Sequence, residues 1–330
     1  MAKALVEIKN LSKEFPVKKD LWGRTQLSLK AVNDISLDIY PGECLTIVGE
    51  SGCGKSTMAR LILKLIKADQ GEVIFEGEDI LQLKGKQLRE KRQDMQMVFQ
   101  NPFSSLDPRY KIKDSIAEPL IVHRHCKPPK GVTQGEAIQA RVRELIGLVE
   151  LDETILEKYP HQCSGGQNQR VSIARALALN PKFIIADEAV SALDVSIQAK
   201  ILELIKKLQK ELGISFLFIA HNLGVVKYIA DRVAVMYLGE IVELANKEEL
   251  FSNPLHPYTK ALLNAAPVAD PRARDRDRVL LEGEIPKPTD IPSGCPFHTR
   301  CPIAESKCSE VKPELACQET ESHHVSCHLV

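Results

Sequence analysis

The chain has 330 residues, 44% apolar and 27% charged, which is enough for one large domain or two ordinary ones with a substantial core. Its 44 basic and 44 acidic side chains cancel, so no global attraction to nucleic acid or an anionic membrane surface is visible. The start, MAKALVEIKN, lacks the basic region and apolar run of a secretory signal, and no apolar stretch reaches the roughly 18 residues of a membrane span, so a reducing cytoplasmic setting is expected.

In chain order, ALVEIKNLSKEF and AVNDISLDIYPGECLTIVGE alternate apolar and polar residues and predict half-buried strands, with a turn at Pro41–Gly42. A glycine-rich loop follows, then the helical period of KSTMARLILKLI. GEVIFEGE and MQMVF predict strands leading into a loop at 100–109, and the signal from about 110 to 180 is mostly helical. PKFIIADE reads as a buried strand ending in two acids. SIQAKILELIKKLQKELG reads as an amphipathic helix stopped by Gly213. SFLFIA, a short helix, RVAVMYLGE and IVELA complete an alternation that predicts an α/β fold with a mostly parallel sheet and a helical insertion. The mixed-charge run DPRARDRDR (270–278) reads as a solvated linker. The proline-rich segment beyond it fits an appended cysteine module better than more sheet.

Gly49-Glu50-Ser51-Gly52-Cys53-Gly54-Lys55-Ser56-Thr57 matches G-x-x-x-x-G-K-[ST] between a predicted strand and helix. Glycines let the backbone wrap phosphate oxygens, and successive N–H groups with the following helix N-terminus face the anion. Lys55 suits the β/γ-phosphates of a bound nucleotide, and the Ser56 hydroxyl suits Mg²⁺. Asp187 and Glu188 leave the C-terminal end of a buried strand, where open α/β sheets bind ligands. Asp187 suits Mg²⁺ through a water or in its second shell. Glu188 is placed to polarise an attacking water as general base.

Ser164-Gly165-Gly166-Gln167, in YPHQCSGGQNQRVSIARAL, resembles the signature of ATP-binding-cassette (ABC) ATPases. Ser164 suits an N-cap, leaving a second anion-attracting helix end that one chain does not explain. The resemblance implies a head-to-tail cassette dimer, in which each signature caps the γ-phosphate held by the other. Gln100 resembles the Q-loop glutamine, a link from Mg²⁺ and water to the membrane-subunit surface. Ser191 to Asp194 resembles the D-loop at the dimer interface, and His221 resembles the switch histidine at the γ-phosphate. Phe15 lies where the family stacks an aromatic on adenine. The resemblance covers about residues 4–265. It implies a P-loop ABC ATPase with a RecA-like core sheet, an antiparallel β subdomain and a helical subdomain at about 104–180. Cys163, Ala189, Asn222 and Asn168 depart from the usual leucine, proline, aspartate and arginine. Asn222 is expected to lose whatever ion pair the aspartate makes in relatives.

NPLHPYTKALLNAAP, LEGEIPKPTDIPSGCPFHTRCPIAESKC and VSCHL resemble the C-terminal region of ATPase subunits of dipeptide/oligopeptide importers. PVKKDLWGRT resembles the second, F-type subunit. Implied partners are a sister ATPase in a heterodimer, two membrane permeases and an extracytoplasmic peptide-binding protein, with this subunit peripheral on the cytoplasmic face. Nickel and glutathione importers belong to the same group. A soluble cassette of DNA repair or translation would carry a coiled-coil insertion, a second cassette or a basic face, and a P-loop kinase would not need the signature or the switch histidine. A redox-sensing tail on an inactive ATPase conflicts with the retention of Glu188. The chain thus divides into an ATPase domain (1–265) and a linker with a small cysteine-rich extension (266–330).

Cys295-x5-Cys301-x6-Cys308-x18-Cys327 is not the C-x2-C pair of structural zinc. Four thiolates in a reducing compartment suit a [4Fe–4S] cluster or tetrahedral Zn²⁺. The family pattern that carries a [4Fe–4S] cluster falls on these four, leaving Cys317 a spare thiol.

Overall fold

Residues 3–19, 25–126, 128, 130–265, 283–318 and 322–330 are described in the computed structural model of the chain. The 270–278 run read as a linker lies outside them.

The N-terminal alternation forms β1 (Val6–Lys19) and β2 (Thr25–Ile39), and β3 (Cys44–Val48) runs through the phosphate loop into α1 (Lys55–Ile62). Next come β4 (Gln70–Phe75), β5 (Glu78–Asp79), α2 (Gly85–Lys91) and β6 (Met95–Val98). The insertion holds α3 (Pro102–Ser105), α4 (Ile112–Val122), α5 (Gln134–Leu148) and α6 (Gly165–Leu177). The core then resumes with β7 (Phe183–Asp187), α7 (Val195–Leu212), β8 (Ser215–Ala220), α8 (Leu223–Ile229) and β9 (Arg232–Tyr237). Last are β10 (Glu240–Asn246), α9 (Lys247–Ser252), α10 (Pro257–Ala265), α11 (Ser306–Glu310), β11 (Ala316–Cys317) and β12 (His324–Val325).

Two sheets result. The antiparallel one runs β2-β1-β4-β5, with Val6 opposite Ile39 on one side and Phe75 on the other. Period-2 alternation turns Val6 and Ile8 inward and leaves Lys9 exposed. The larger sheet runs β11-β12-β10-β9-β3-β8-β7-β6, parallel from β9 to β6. Strands β3, β7 and β8 are buried along their whole length, as expected of parallel strands covered on both faces. Their C-terminal ends therefore share one edge, which collects residues 49–57, 187–188 and 221. The insertion packs Ile112, Ile116, Leu120, Val142, Leu145 and Ile146 into the core under β6 and β7. Helix α7 stops where expected, at Gly213 with φ 64°.

The tail differs from the expected appendage, because it adds sheet. Strand β12 pairs with β10 (Glu243 opposite Val325, Leu244 opposite His324), and β11 pairs with β12. Cys295, Phe297 and Cys308 share a core cluster with Tyr237 and Tyr258. The physical reason is edge protection: β10 is otherwise an unpaired edge carrying the buried Glu243. That carboxylate receives the Leu255 and His256 N–H groups and meets His323 Nε2 at 2.8 Å. Among the described residues no helix is long and apolar enough to cross a membrane.

Candidate functional site

The phosphate loop is held open by two glycines that nothing else replaces. Gly54, the N-cap of α1, has φ 109°, and a Cβ there would lie 2.0 Å from the Ala31 carbonyl oxygen. A Cβ on Gly49 would lie 2.1 Å from the Met236 carbonyl oxygen. Lys55 is buried, and its Nζ donates to the carbonyls of Gly49 and Glu50, each at 2.9 Å, while lying 3.5 Å from Cys53 Sγ. The ammonium thus bridges the loop across the cradle where an anion would sit. Ser51 and Gly52 are exposed at the loop's tip, and Thr57 follows Ser56 into the first turn of α1.

Two oxygen donors meet at the next position. The Ser56 hydroxyl donates to Asp187 Oδ1 at 2.9 Å, bringing α1 to the end of β7. Burial pushes the Asp187 carboxyl above the usual carboxylate range; the Ser56 hydroxyl pulls it down, and the Glu188 charge raises it further. A carboxylate beside a hydroxyl is a hard-oxygen donor set that fits Mg²⁺.

Glu188 sits in the left-handed region at φ 47°, uncommon for a residue with a Cβ, which turns its carboxylate out of the strand. Its N–H donates to the Ile219 carbonyl, and its own carbonyl accepts from the Ser191 N–H and hydroxyl. On one carboxylate oxygen, Oε2, Gln100 Nε2 donates at 2.7 Å and His221 Nδ1 lies at 3.7 Å. Gln100, Glu188 and His221 are therefore brought together from three different strand ends. Phe15 projects half-exposed from β1, with Lys13 Nζ 5.3 Å from its ring centroid.

The signature forms a reciprocal cap. The Gln167 N–H donates to Ser164 Oγ at 3.3 Å, and the Ser164 N–H donates to Gln167 Oε1 at 2.9 Å. Gly166 abuts α7, since a Cβ there would lie 2.6 Å from Ile197 Cγ2, and a Cβ on Gly165 would lie 3.3 Å from Leu193 just before that helix. The Asp194 carbonyl accepts from the Ile197 and Gln198 N–H groups and starts α7. Among the described residues no hydrogen bond joins 164–167 to 49–57 of the same chain.

The departures have local explanations. Asn222 caps α8 by accepting the Gly224 N–H at 2.8 Å. Asn168 is buried and donates to the Pro160 carbonyl at 2.9 Å. Cys163 packs as a small buried hydrophobe with its thiol 3.5 Å from the Tyr159 carbonyl, and Ala189 is buried.

Sequence reasoning missed two partners of Glu50. Its N–H donates to Tyr258 Oη at 2.9 Å, and its carboxylate pairs with Arg300 at 2.9 Å. Both lie in the C-terminal segments that carry the importer resemblance, but nothing in their spacing ties them to the loop: Tyr258 reaches it from α10 and Arg300 from the folded tail.

Cys295, Cys301, Cys308 and Cys327 line one small cavity of about 10 Å³ with Phe297 and Leu329. Burial pushes the Cys295 thiol up to about 11 and raises Cys301 and Cys327 as well. Main-chain hydrogen bonds from Phe297, Ile303 and Leu329 act in the opposite direction on these three sulfurs. Among the described residues no group of three or more His, Cys, Asp or Glu side chains is placed to hold a metal ion.

An ABC transporter family model matches residues 32–191, and a model of the oligopeptide/dipeptide transporter C-terminal region matches residues 242–308. The chain is 47% identical over 327 residues to the oligopeptide transport ATP-binding protein AppF of Bacillus subtilis (strain 168), covering 98% of this chain and 97% of that one. This chain belongs to the ATP-binding subunits of the oligopeptide/dipeptide ABC transporter family. The OppF protein of Salmonella typhimurium (strain LT2) is 49% identical over 328 residues, covering 98% of this chain and 96% of that relative. Among solved structures, the dimeric ATP-binding cassette MJ0796 in a post-hydrolysis state bound to ADP and Pi is 33% identical with a TM-score of 0.63, covering 73% of this chain and 98% of that one. As a member of the family the chain is a P-loop ABC ATPase, with a RecA-like core sheet and helical and antiparallel subdomains.

Proposed function

We propose that this ATPase subunit drives di- or oligopeptide import, pairing head to tail with a sister cassette beneath two permeases fed by an extracytoplasmic peptide-binding protein. The observation that carries the catalytic half is the convergence of Gln100 and His221 on one oxygen of Glu188, beside the Ser56–Asp187 pair. The peptide substrate and the partners are supported by the oligopeptide transport proteins that resemble this chain along nearly its whole length.

In this reading the main-chain N–H groups of residues 49–57 bind the phosphates and Lys55 exchanges its carbonyl partners for the β/γ-phosphates. Ser56 and Asp187 would hold Mg²⁺, which supplies charge neutralisation on the phosphate oxygens. Glu188 takes a proton from the attacking water, and Gln100 and His221 orient the water and sense the γ-phosphate. Phe15 stacks on adenine. Ser164–Gln167 present a capped helix end to the partner's γ-phosphate, and Asp194 crosses the interface. Binding closes the cassette dimer and hydrolysis reopens it, so the cycle biases a two-state interface that the permeases read.

The subunit sits peripherally on the cytoplasmic face. Residues 1–265 form the ATPase domain, with helices at about 104–180 as its helical subdomain, and 266–330 form the linker and extension. For the tail we keep a [4Fe–4S] cluster, with Zn²⁺ second, as a proposal resting on four cysteine sulfurs at one cavity, which His256, His298 and His328 also line, with main-chain N–H groups on three of the sulfurs. Binding would require the thiols to deprotonate and the cavity to widen. Reconstitution with permeases and sister ATPase tests the function: peptide added with the binding protein should stimulate ATP hydrolysis, and no response to any peptide would refute the assignment.

A further inference from the structure

One arginine carries the cysteine tail to the nucleotide loop. Arg300 closes the short turn His298–Arg300, immediately before Cys301, and its guanidinium crosses to Glu50, the second residue of the loop. Nη1 donates to Glu50 Oε2 at 2.9 Å and Nη2 donates to Oε1 at 3.2 Å, a bidentate fork. The Arg300 side chain is only 6% exposed, against 22% for Glu50. Its guanidinium stands 6.0 Å from the Tyr237 ring centroid, with Nη1 3.5 Å from Tyr237 Oη. Phe297 fixes the turn from the same side, its ring centroid 5.3 Å from Tyr237 and 5.5 Å from Tyr258.

Every polar group of Glu50 is thereby committed: the carboxylate to Arg300, the N–H to Tyr258 Oη and the carbonyl to Lys55. Two consequences follow from elementary electrostatics. A free carboxylate on a loop that must receive a polyanion opposes its ligand, and the buried guanidinium cancels that charge. The fork also fixes one side chain of a loop whose backbone must present its N–H groups in one arrangement before the ligand arrives.

We infer that Arg300 is a positioning residue of the phosphate loop: by holding and neutralising Glu50 it makes the folded tail a determinant of nucleotide affinity. This rests on the reading of residues 49–57 as the nucleotide site. The tail is then functionally joined to the ATPase core through a contact that neither sequence motif contains.

The test measures Mg²⁺-dependent binding of a fluorescent ATP analogue to the full-length chain, alongside steady-state hydrolysis. Arg300→Ala should weaken binding about tenfold, the equivalent of about 1.4 kcal/mol, and raise KM similarly, with kcat within about threefold. Arg300→Lys, which keeps the charge and loses the fork, should fall between wild type and Arg300→Ala. Glu50→Gln should weaken binding less than Arg300→Ala. The double variant Arg300→Ala/Glu50→Gln should recover most of the loss, a rescue that damage to the tail alone would not produce. Wild-type affinity in a folded Arg300→Ala, or a double variant as weak as Arg300→Ala, would overturn the inference. If Arg300→Ala fails to fold by circular dichroism, Arg300→Lys decides: wild-type affinity there overturns the inference, and weakened affinity supports it. A wild-type chain that binds no MgATP would refute the nucleotide site itself.

Discussion

The Ser56 hydroxyl donates to Asp187 at 2.9 Å, so a helix and a strand end 131 positions apart present two hard oxygens at one point. Ser56→Ala removes one of them and leaves a buried carboxylate without its donor. Titrating hydrolysis with Mg²⁺ at fixed ATP should show the apparent Mg²⁺ affinity reduced about 10–100-fold, while the fold loses only about 1 kcal/mol. An unchanged Mg²⁺ dependence would remove Ser56 from the metal's surroundings.

Ser164 caps a helix, and its proposed interfacial role can be separated from that structural one. Loss of its cap in Ser164→Ala should cost about 1 kcal/mol and lower the melting temperature by roughly 2 °C. In the assembled cassette dimer, hydrolysis measured well below the melting temperature should fall by at least about tenfold, more than that stability loss explains. Normal turnover in the dimer would make the signature an ordinary capped helix.

Acid–base linkage gives a prediction at the far end of the same sheet. Burial pushes the Glu43 carboxyl above its ordinary range, and the Tyr40 N–H and the Arg232 guanidinium at 3.1 Å offset this only partly. A carboxyl whose folded pKa is raised stabilises the fold while protonated and loses that contribution as pH rises through the folded value. The melting temperature of Glu43→Gln relative to wild type should therefore increase by about 1–3 °C from about pH 4 to pH 7. A difference that falls over that interval would contradict the sign.

Most of the candidate nucleotide site was legible because it is written locally. Residues 49–57 combine glycine spacing, a lysine and a hydroxyl within nine positions, and Asp187 and Glu188 end an unbroken apolar strand. The long alternations of β1 and β2 and the amphipathic period of α7 were equally readable. The two-residue strands β11 and β12 were not, since a pair such as His324–Val325 is too short to show any period. Arg300 was hidden for a different reason: its partner lies 250 positions away, and a single arginine in a cysteine-rich segment carries no spacing signal. Asn222 was read as a lost charge, although asparagine directly before a helix is a capping signal and Gly224 uses it as one. The cysteine spacing was legible as a pattern, and the four cysteines it singles out line one cavity of about 10 Å³.

The central claim is that Glu188, held by Gln100 at 2.7 Å and faced by His221 at 3.7 Å, is the general base of ATP hydrolysis. Steady-state hydrolysis by Glu188→Gln, measured with its affinity for MgATP, tests this most directly. The account predicts hydrolysis lowered about 10²–10⁴-fold with nucleotide affinity retained, and hydrolysis at the wild-type rate would contradict it.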